Sequence, residues 1–283
     1  MNEKIIGIRT DCKKLFDNAV KGGVAYLARY PKIETLVIGI SGGIDSAVTA
    51  AIAREACDMA GRKLLGYRLP GIGNKANECE RAWEVCREFC HQHGEYVING
   101  MYDSILSTVD YSLALKPLDG EPFTHAEKIR CGNIKARVRM SCLYDLAAKH
   151  CGLVLSTDNL TEYNLGFWTL HGDVGDFGFI QNLWKTEVYG IGELVGGSVA
   201  GCVDAVPTDG LGITNSDIDQ LLPNWTPEDG SYRDAYRVID DILIEHLRGL
   251  GTHSPDHPVI RRYEETHFKR QNPISLNRLV LIL

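Results

Sequence analysis

The sequence has no long apolar run, no basic run and no CxxC pair, and each absence excludes a class of protein. No stretch of the 283 residues approaches the roughly 18 apolar residues that a membrane-spanning helix needs. A net charge of −7 argues against nucleic acid as the main partner. The N-terminal residues do not lead into an apolar core with a cleavage site, so no secretory signal is expected and the cytoplasm is the predicted location.

Nine cysteines are scattered along the chain. Only Cys86 and Cys90, with His93, have a spacing that a helix could bring toward one face. Zinc accepts such ligands, but free cysteines also pack as small apolar groups, and the second interpretation is favoured. Disulfides are not expected in this compartment.

Apolar, β-favouring segments alternate with helical segments. Strands are predicted at 35–40, 63–69, 95–99 and 152–156, with helices at 47–59, 76–93 and 133–151. This rhythm predicts an α/β fold, a doubly wound parallel sheet with flanking helices, as a single domain over residues 1–283. Ligands of such sheets bind beyond the carboxyl ends of the strands, so the loops after Ile40, Leu69 and Leu155 should line one crevice.

The turn after the first strand, Ser41–Ser46, reads SGGIDS. Its two glycines let the backbone approach a ligand without a Cβ in the way. Its two hydroxyls and the first N–H groups of the following helix point at one position, where the helix dipole also favours negative charge. The turn therefore predicts a phosphate site, and it lacks the spacer and the Lys-Ser/Thr pair of the Walker type.

This turn resembles the pyrophosphate loop of the N-type ATP pyrophosphatases, which cleave ATP to AMP and pyrophosphate. Further segments follow in the order expected of one subgroup, the ammonia-dependent NAD synthetases. They are RLP at 68–70, GNIKARVRM at 132–140, STDNLTE at 156–162, GFWTLHGD at 166–173, LWKT at 183–186, VPTD at 206–209 and KR at 269–270. The resemblance implies an adenine nucleotide alpha hydrolase-like fold.

The implied chemistry is amidation in two steps. The nicotinate carboxylate of deamido-NAD attacks the α-phosphate of ATP, which gives an acyl-adenylate and pyrophosphate, and ammonia then displaces AMP. Negative charge develops in each step, so positioned cations and N–H donors should dominate catalysis. The implied ligands are ATP, magnesium, ammonia and deamido-NAD, and the implied assembly is a homodimer with the deamido-NAD site at the subunit interface.

The resemblance also assigns roles to individual residues. ATP contacts are implied for Gly39, Ser41, Gly42, Gly43, Asp45, Ser46, Arg68, Thr157, Lys185 and Thr208. Contacts with deamido-NAD are implied for Arg137, Asp173, Asp176, His267 and Lys269. Asp45 and Glu162 would hold magnesium, a hard cation that suits carboxylates among phosphates. Lys185 and Asp173 are the catalytic candidates, with Asp173 placed to take a proton from ammonium.

Three departures from the family pattern fall on the acyl-substrate side. Leu170 stands where the family has lysine, Phe177 where it has aspartate, and Phe268 where it has histidine. Asp176 and His267 each lie one position from a lost group and could replace it. In addition, an acidic stretch is replaced by GIGNK at 71–75, and residues 99–124 have no counterpart. Adenylation is therefore predicted, while the acyl substrate stays open.

Several alternatives remain beside NAD synthesis. One is an N-type ATP pyrophosphatase that adenylates a different carboxylate or carbonyl substrate. A nucleotide-binding protein without turnover is disfavoured, because the ATP and magnesium positions are retained. A glutamine-dependent enzyme would need an amidohydrolase domain, and a sulfur transferase would need a CxxC pair or a basic surface. Tyr26 and Tyr30 could stack on the pyridine ring, although aromatic residues at helical spacing more often belong to a core.

Overall fold

The computed structural model describes residues 7–117, 120–207, 216–226 and 230–275, and within them one parallel sheet forms the centre. Its strands are β1 (Thr35–Gly39), β2 (Lys63–Arg68), β3 (Gln92–Glu95), β4 (Gly152–Ser156) and β5 (Phe177–Gly178). They lie in the order β3-β2-β1-β4-β5, and each neighbouring pair is parallel.

Helices connect these strands and cover the sheet. In chain order they are α1 (Cys12–Arg29), α2 (Ile44–Ala60), α3 (Ala76–Phe89), α4 (Asn99–Val109), α5 (Tyr111–Leu115), α6 (His125–Lys149), α7 (Leu160–Leu165), α8 (Lys185–Val195), α9 (Gly197–Val203), α10 (Asp217–Leu221), α11 (Tyr232–Leu247) and α12 (Pro258–Glu265), with a 3₁₀ helix at His267–Gln271. None of the helices in the described ranges is both long and apolar enough to cross a membrane.

Residues of β1 alternate between two cores, one on each face of the sheet. Leu36 and Ile38 pack in the core that contains the Ala-rich face of α2. Val37 packs on the other face with Leu143 and Leu146 of α6. Because helices cover both faces, the predicted α/β fold with a doubly wound parallel sheet is confirmed.

The third strand lies earlier in the chain than the sequence predicts. The helix expected over 76–93 ends at Phe89, because Cys90 is extended and His91 N donates to Leu64 O beside β2. Pairing with β2 then starts at Gln92, and β3 ends at Glu95 rather than 99. The apolar run at 96–98, which suggested a strand, instead leads into α4.

Cys86 and Cys90 pack as small apolar groups in the core. A Cβ added at Gly66 would lie 2.2 Å from Cys90 Sγ, so this sulfur fills the space beside a glycine of β2. His93 lies on β3 with its ring centroid 5.5 Å from that of Trp83. Among the described residues, no group of three or more His, Cys, Asp or Glu could hold a metal ion. The zinc interpretation of Cys86, Cys90 and His93 is therefore contradicted.

Candidate active site

A cavity of about 340 Å³ opens at the carboxyl ends of β1, β2 and β4. β1 has β2 on one side and β4 on the other, so the loops that follow β1 and β4 diverge there. Ile40, Leu69 and Leu155, which end the three predicted strands, all line this cavity. The crevice predicted from the strand order is therefore present.

The loop at 41–46 is folded on itself by its two serines. Ser46 Oγ donates to Gly43 O at 3.1 Å and lies 3.0 Å from Ser41 Oγ, which accepts from Gly43 N at 3.2 Å. Gly42 has a φ of +85°, and a Cβ there would lie 2.2 Å from Glu78 O, so the close approach of α3 requires glycine. Arg81 of α3 fixes the loop further, since its Nε donates to Gly42 O at 2.9 Å.

The loop leads directly into α2, whose N-cap Gly43 provides no side-chain acceptor. The first N–H groups of this 17-residue helix are therefore available to an anion in the cavity. The arrangement suits a phosphate group chemically, as the loop sequence predicts.

Lys185 joins the two predicted magnesium ligands. It is the first residue of α8, its exposure is 3%, and its Nζ donates to Asp45 Oδ2 and, at 2.8 Å, to Glu162 Oε1. Asn159 Nδ2 donates to Asp45 Oδ1 at 2.7 Å. Side chains from α2, α8 and the start of α7 therefore meet at one point of the cavity.

Glu162 is held by the start of α7. Asn159 is the N-cap, its Oδ1 accepts from Glu162 N at 3.0 Å, and Glu162 Oε2 accepts from Asn159 N at 3.3 Å. This reciprocal capping box fixes both side chains at the helix start. The helix is short, so the cap is a large part of what orders it.

Burial and the neighbouring Asp45 raise the pKa of Glu162 to about 7, against the opposing effect of Lys185. Burial, Glu162 and Asp173 also raise the pKa of Asp158 well above its usual value. Burial disfavours the charged form of Lys185, but Asp45 and Glu162 raise its pKa well above the usual range. The site thus holds a charged lysine beside carboxylates that lie close enough together to disfavour one another's ionisation.

Asp173 lines the cavity near the loop at 166–172. Its Oδ2 accepts from Thr169 N at 2.5 Å, and Thr169 Oγ1 donates to Asn133 Oδ1 of α6 at 2.8 Å. Burial raises the pKa of Asp173, and Thr169 and Arg139 lower it in part. A carboxylate of raised pKa is suited to accept a proton.

Arg68 lines the cavity as well, but its guanidinium is occupied by protein groups. Its Nη1 lies 2.7 Å from Glu95 Oε2, and its Cζ lies 4.6 Å from the centroid of the Trp83 ring. Because the guanidinium is engaged in this way, a contact between Arg68 and ATP would come from the rest of the side chain or from the backbone.

Most of the residues that were predicted to bind ATP or magnesium line this cavity. It is lined by Gly39, Ser41, Gly43, Asp45, Ser46, Arg68, Thr157, Glu162 and Lys185, together with Asp173. Gly42 does not line it, and its carbonyl is bonded to Arg81. Thr208 lies outside the described residues.

The other predicted substrate residues lie outside this cavity. Arg137 is exposed on α6, where its Nε donates to Leu170 O at 3.2 Å. Asp176 is exposed and accepts from Tyr144 Oη and from Val154 N, each at 3.0 Å. His267 is exposed and contacts Gln271. The three residues are thus not brought together at one point.

Lys269 contacts backbone in the loop that follows α7. Its Nζ donates to Gly166 O and Trp168 O, each at 2.6 Å. Burial and Arg262 lower its pKa to about 8. Arg262 Nε donates to Leu165 O at 2.9 Å, so the C-terminal segment holds the end of α7 by its carbonyl groups.

Phe177 and Phe268 are two of the residues that depart from the family pattern, and their surroundings differ. Phe177 belongs to an aromatic cluster, with its ring centroid 4.6 Å from that of Tyr26 and 4.9 Å from that of Phe179. Tyr26 also contacts Tyr30, at 4.7 Å between centroids, so these aromatic residues pack on one another beside β5. Phe268 is exposed.

Sequence reasoning missed several residues that shape the site. Asp158 and Asn159 lie inside the STDNLTE segment, so the motif could have drawn attention to both. Arg139 lies inside GNIKARVRM, lines the cavity, and donates from Nε to Leu69 O at 2.9 Å. Arg81 lies in no motif, and its contact with Gly42 spans 39 positions, so nothing local indicated it.

Comparisons with known proteins agree with this geometry. The chain matches the family described as NAD synthase over residues 22–273. It is 33% identical over 229 residues to an NH3-dependent NAD+ synthetase of Pyrococcus furiosus, covering 81% of this chain and 77% of that protein. It is 30% identical over 264 residues to one of Pseudomonas entomophila, covering 86% and 84%.

Two solved structures are similar to this chain in fold. An NMN synthetase from Francisella tularensis superimposes with a TM-score of 0.73 at 26% identity, covering 94% of this chain and 99% of that one. An NH3-dependent NAD synthetase from Campylobacter jejuni has a TM-score of 0.69 with the same coverage, and at 21% identity it shows the fold alone.

Proposed function

We propose that this chain, which belongs to the NAD synthase family, amidates deamido-NAD to NAD with ATP and ammonia, as an AMP-forming ligase. The carboxylate of deamido-NAD would attack the α-phosphate, pyrophosphate would leave, and ammonia would then displace AMP from the acyl-adenylate. The observation that carries the proposal is the cluster of Asp45, Glu162 and Lys185 beside the 41–46 loop. The names of the curated relatives support the same reaction.

The first step needs positive charge where pyrophosphate leaves. The N–H groups at the start of α2 and the hydroxyls of Ser41 and Ser46 offer donors to its oxygens. Lys185 adds an ammonium group that is already ordered by its carboxylate partners. Groups fixed in advance in this way stabilise a transition state without reorganising.

Magnesium is the metal that we assign to this site. Asp45 and Glu162 present carboxylate oxygens, the donors that it prefers. Burial and the neighbouring carboxylate of Asp45 raise the pKa of Glu162, and a divalent cation would compensate the repulsion between the two carboxylates. When bound, the ion would neutralise charge on the triphosphate. Lys185, which bonds both carboxylates, would share them with the ion.

The second step needs a free amine. We assign Asp173 as the group that takes a proton from ammonium, because burial raises its pKa and so makes it a stronger base. A solvent-poor setting at this carboxylate would also protect an acyl-adenylate from hydrolysis.

We also propose that the chain forms a homodimer through α4 and α6. Met101, Ile105 and Val109 recur at helical spacing on α4 and are 43%, 41% and 60% exposed. Ile105 and Val109 line a hollow of about 470 Å³ whose lining also includes Ile129 and Arg137 of α6. A second copy on this apolar face would cover it and bring its own residues toward the acyl side. A cytoplasmic location stays a prediction.

Light scattering after gel filtration tests the dimer. Wild-type protein should elute as a dimer and Ile105→Glu as a monomer, since a buried carboxylate opposes association. Leu250→Glu, a change at an exposed leucine on the loop after α11, is the control and should stay dimeric. A monomeric wild type at micromolar concentration would exclude this interface.

Amidation of nicotinate mononucleotide, to give NMN, is the second candidate. It is favoured by the similarity to an NMN synthetase and by the loss of charge at positions 170 and 177. A mononucleotide lacks the adenylate half of deamido-NAD, so fewer polar contacts would be needed to hold it. The ATP side of the site would act identically in both reactions.

A pyrophosphate-release assay decides between these candidates. Purified protein with ATP, Mg²⁺ and ammonium is given deamido-NAD, nicotinate mononucleotide or other carboxylates, and the amide is identified by mass spectrometry. NAD formed with a higher kcat/KM than NMN supports the lead. Preference for the mononucleotide selects the second candidate, and release of ADP and phosphate would exclude both.

A further inference from the structure

Asp240 is a carboxylate on α11 that is 0% exposed and does not line the cavity. Its Oδ1 accepts from Thr161 Oγ1 at 2.5 Å, and its Oδ2 accepts from Thr186 N at 3.0 Å and from Thr186 Oγ1 at 2.7 Å. A carboxylate out of water is costly unless such donors surround it. Burial raises the pKa of Asp240 to about 7 despite these bonds.

Its two partners adjoin the two residues that meet in the cavity. Thr161 immediately precedes Glu162, and Thr186 immediately follows Lys185. Thr161 Oγ1 also accepts from Lys185 N at 2.8 Å. A chain of hydrogen bonds therefore joins α7, α8 and α11 directly behind the Lys185–Glu162 ion pair.

The start of α8 depends on these bonds. Its N-cap is Trp184, whose indole has no acceptor and makes no side-chain cap. The first N–H groups of α8 are instead accepted by groups of other elements, Lys185 N by Thr161 and Thr186 N by Asp240. The backbone that carries Lys185 is consequently fixed to α7 and α11, in addition to the bond that Trp184 N donates to Glu187 Oε2 within α8.

We propose that Asp240 is a positioning residue that sets Lys185 relative to Glu162, acting through Thr186 and Thr161 without touching ATP. The inference rests on the proposed function, in which both side chains act on the triphosphate. Misplacement of a reacting group on the order of 1 Å costs roughly 100-fold in rate. The register of α7 against α8 is therefore a condition for turnover.

Glu187 supplies a matched control at the same end of α8. It is also buried, its Oε2 accepts from Trp184 N at 2.9 Å, and its Oε1 accepts from Arg9 N at 2.7 Å. Neither bond reaches α7. Glu187→Gln therefore removes a buried carboxylate from the same helix end and leaves the link between Thr161 and Lys185 in place.

The test compares kcat and KM of Asp240→Asn and Glu187→Gln, with the acid that the wild type amidates. Asp240→Asn should lower kcat about 10- to 100-fold, with the KM of the acyl substrate almost unchanged because no bond of Asp240 leads to the acyl side. Glu187→Gln should keep kcat close to wild type at a comparable loss of melting temperature. Similar losses of kcat in both variants would overturn the proposal, since general destabilisation would then explain them.

Thr161 provides a second pair of variants if Asp240→Asn does not fold. Thr161→Ser keeps the hydroxyl and should keep kcat, whereas Thr161→Val should lose as much as Asp240→Asn. In the double variant Thr161→Val/Asp240→Asn the losses should not add, because both act on one chain of bonds. Equal kcat for the serine and valine variants, or a folded Asp240→Asn with wild-type kcat, would overturn the proposal.

Failure of the proposed function is a separate outcome. If wild-type protein releases no pyrophosphate with any acid, that function is wrong, and the same variants are compared by calorimetric titration with MgATP. Asp240→Asn should then bind MgATP several-fold more weakly than Glu187→Gln does. Equal affinities would remove Asp240 from any role at this site.

Discussion

At one end of the site, Asp45, Glu162 and Lys185 come from three elements and bond to one another; at the other end, Arg137, Asp176 and His267 lie apart on the surface. The end that we propose to bind ATP, the nucleotide end, is thus assembled by the fold of one chain. At the end that we propose for the acyl substrate, the acyl end, the polar groups are occupied by backbone and by neighbouring side chains. An end assembled in advance gives fixed electrostatics, whereas a dispersed end gains its geometry from a substrate or a second subunit.

Lys185→Met should break the nucleotide end and have the largest effect. The methionine keeps the length of the side chain but removes the positive charge between Asp45 and Glu162. Turnover should fall on the order of 1,000-fold, the upper range for loss of one fixed donor in an active site. Pyrophosphate release measures it, and Lys135→Met, which loses a bond to Ile72 O outside the ion-pair cluster, is the control.

Asp45→Asn and Glu162→Gln should have the next largest effect. Each removes a hard anionic oxygen from the assigned metal site, and the loss in kcat should be about 100-fold or more. Asp58→Asn, at an exposed ion pair with Arg54, should leave kcat unchanged. Near-normal rates of both site variants at saturating Mg²⁺ would separate these carboxylates from metal binding.

The pH dependence of stability probes the same end without substrate. Glu162 has a folded pKa of about 7 and an ordinary value of 4.5, so between these pH values the folded state binds more protons than the unfolded state. Its contribution to the free energy of unfolding must therefore fall as pH rises from 4.5 to 7. Wild type should lose about 1–3 kcal/mol more than Glu162→Gln over this range. Urea unfolding at several pH values measures it, and parallel curves would contradict the raised pKa.

Leu170→Lys changes the acyl end and should have the smallest effect. A restored cation could add one charge-assisted hydrogen bond, worth about 1.5 kcal/mol, or about 10-fold in kcat/KM for deamido-NAD. The KM for ATP should not change. Leu170→Met controls for size alone. An equal gain for nicotinate mononucleotide would show that position 170 does not discriminate between the two acids.

The nucleotide end was predictable because its chemistry is local in sequence. Ser41–Ser46 contains both the glycine turn that follows β1 and the first residues of α2, and the strand order brings Glu162 to the same edge of the sheet. The rhythm of strands and helices likewise predicted the sheet. The position of β3 was missed, because the apolar composition of 96–98 outweighed the pairing of Gln92–Glu95 with β2.

Contacts between distant residues could not be predicted in this way. Asp240 meets Thr161 across 79 positions, and an aspartate in an amphipathic helix gives no sign that it faces inward. Phe177 stands where the family pattern has an aspartate, and in the structure its ring packs on Tyr26 of α1. Such contacts follow from tertiary packing, which periodicity along one segment does not contain.

The bonds from the C-terminal segment to the end of α7 have a consequence for the order of synthesis. Arg262 and Lys269 reach carbonyl groups that the ribosome has made 97 and 103 residues earlier. At ordinary elongation rates, a nascent chain would wait roughly 5 to 20 s between making α7 and making these two cations. The loop at 41–46 and the sheet could fold during that interval, before Arg262 and Lys269 bond to the carbonyl groups of residues 165–168. Newly made protein would thus acquire its nucleotide end first and its finished acyl end last.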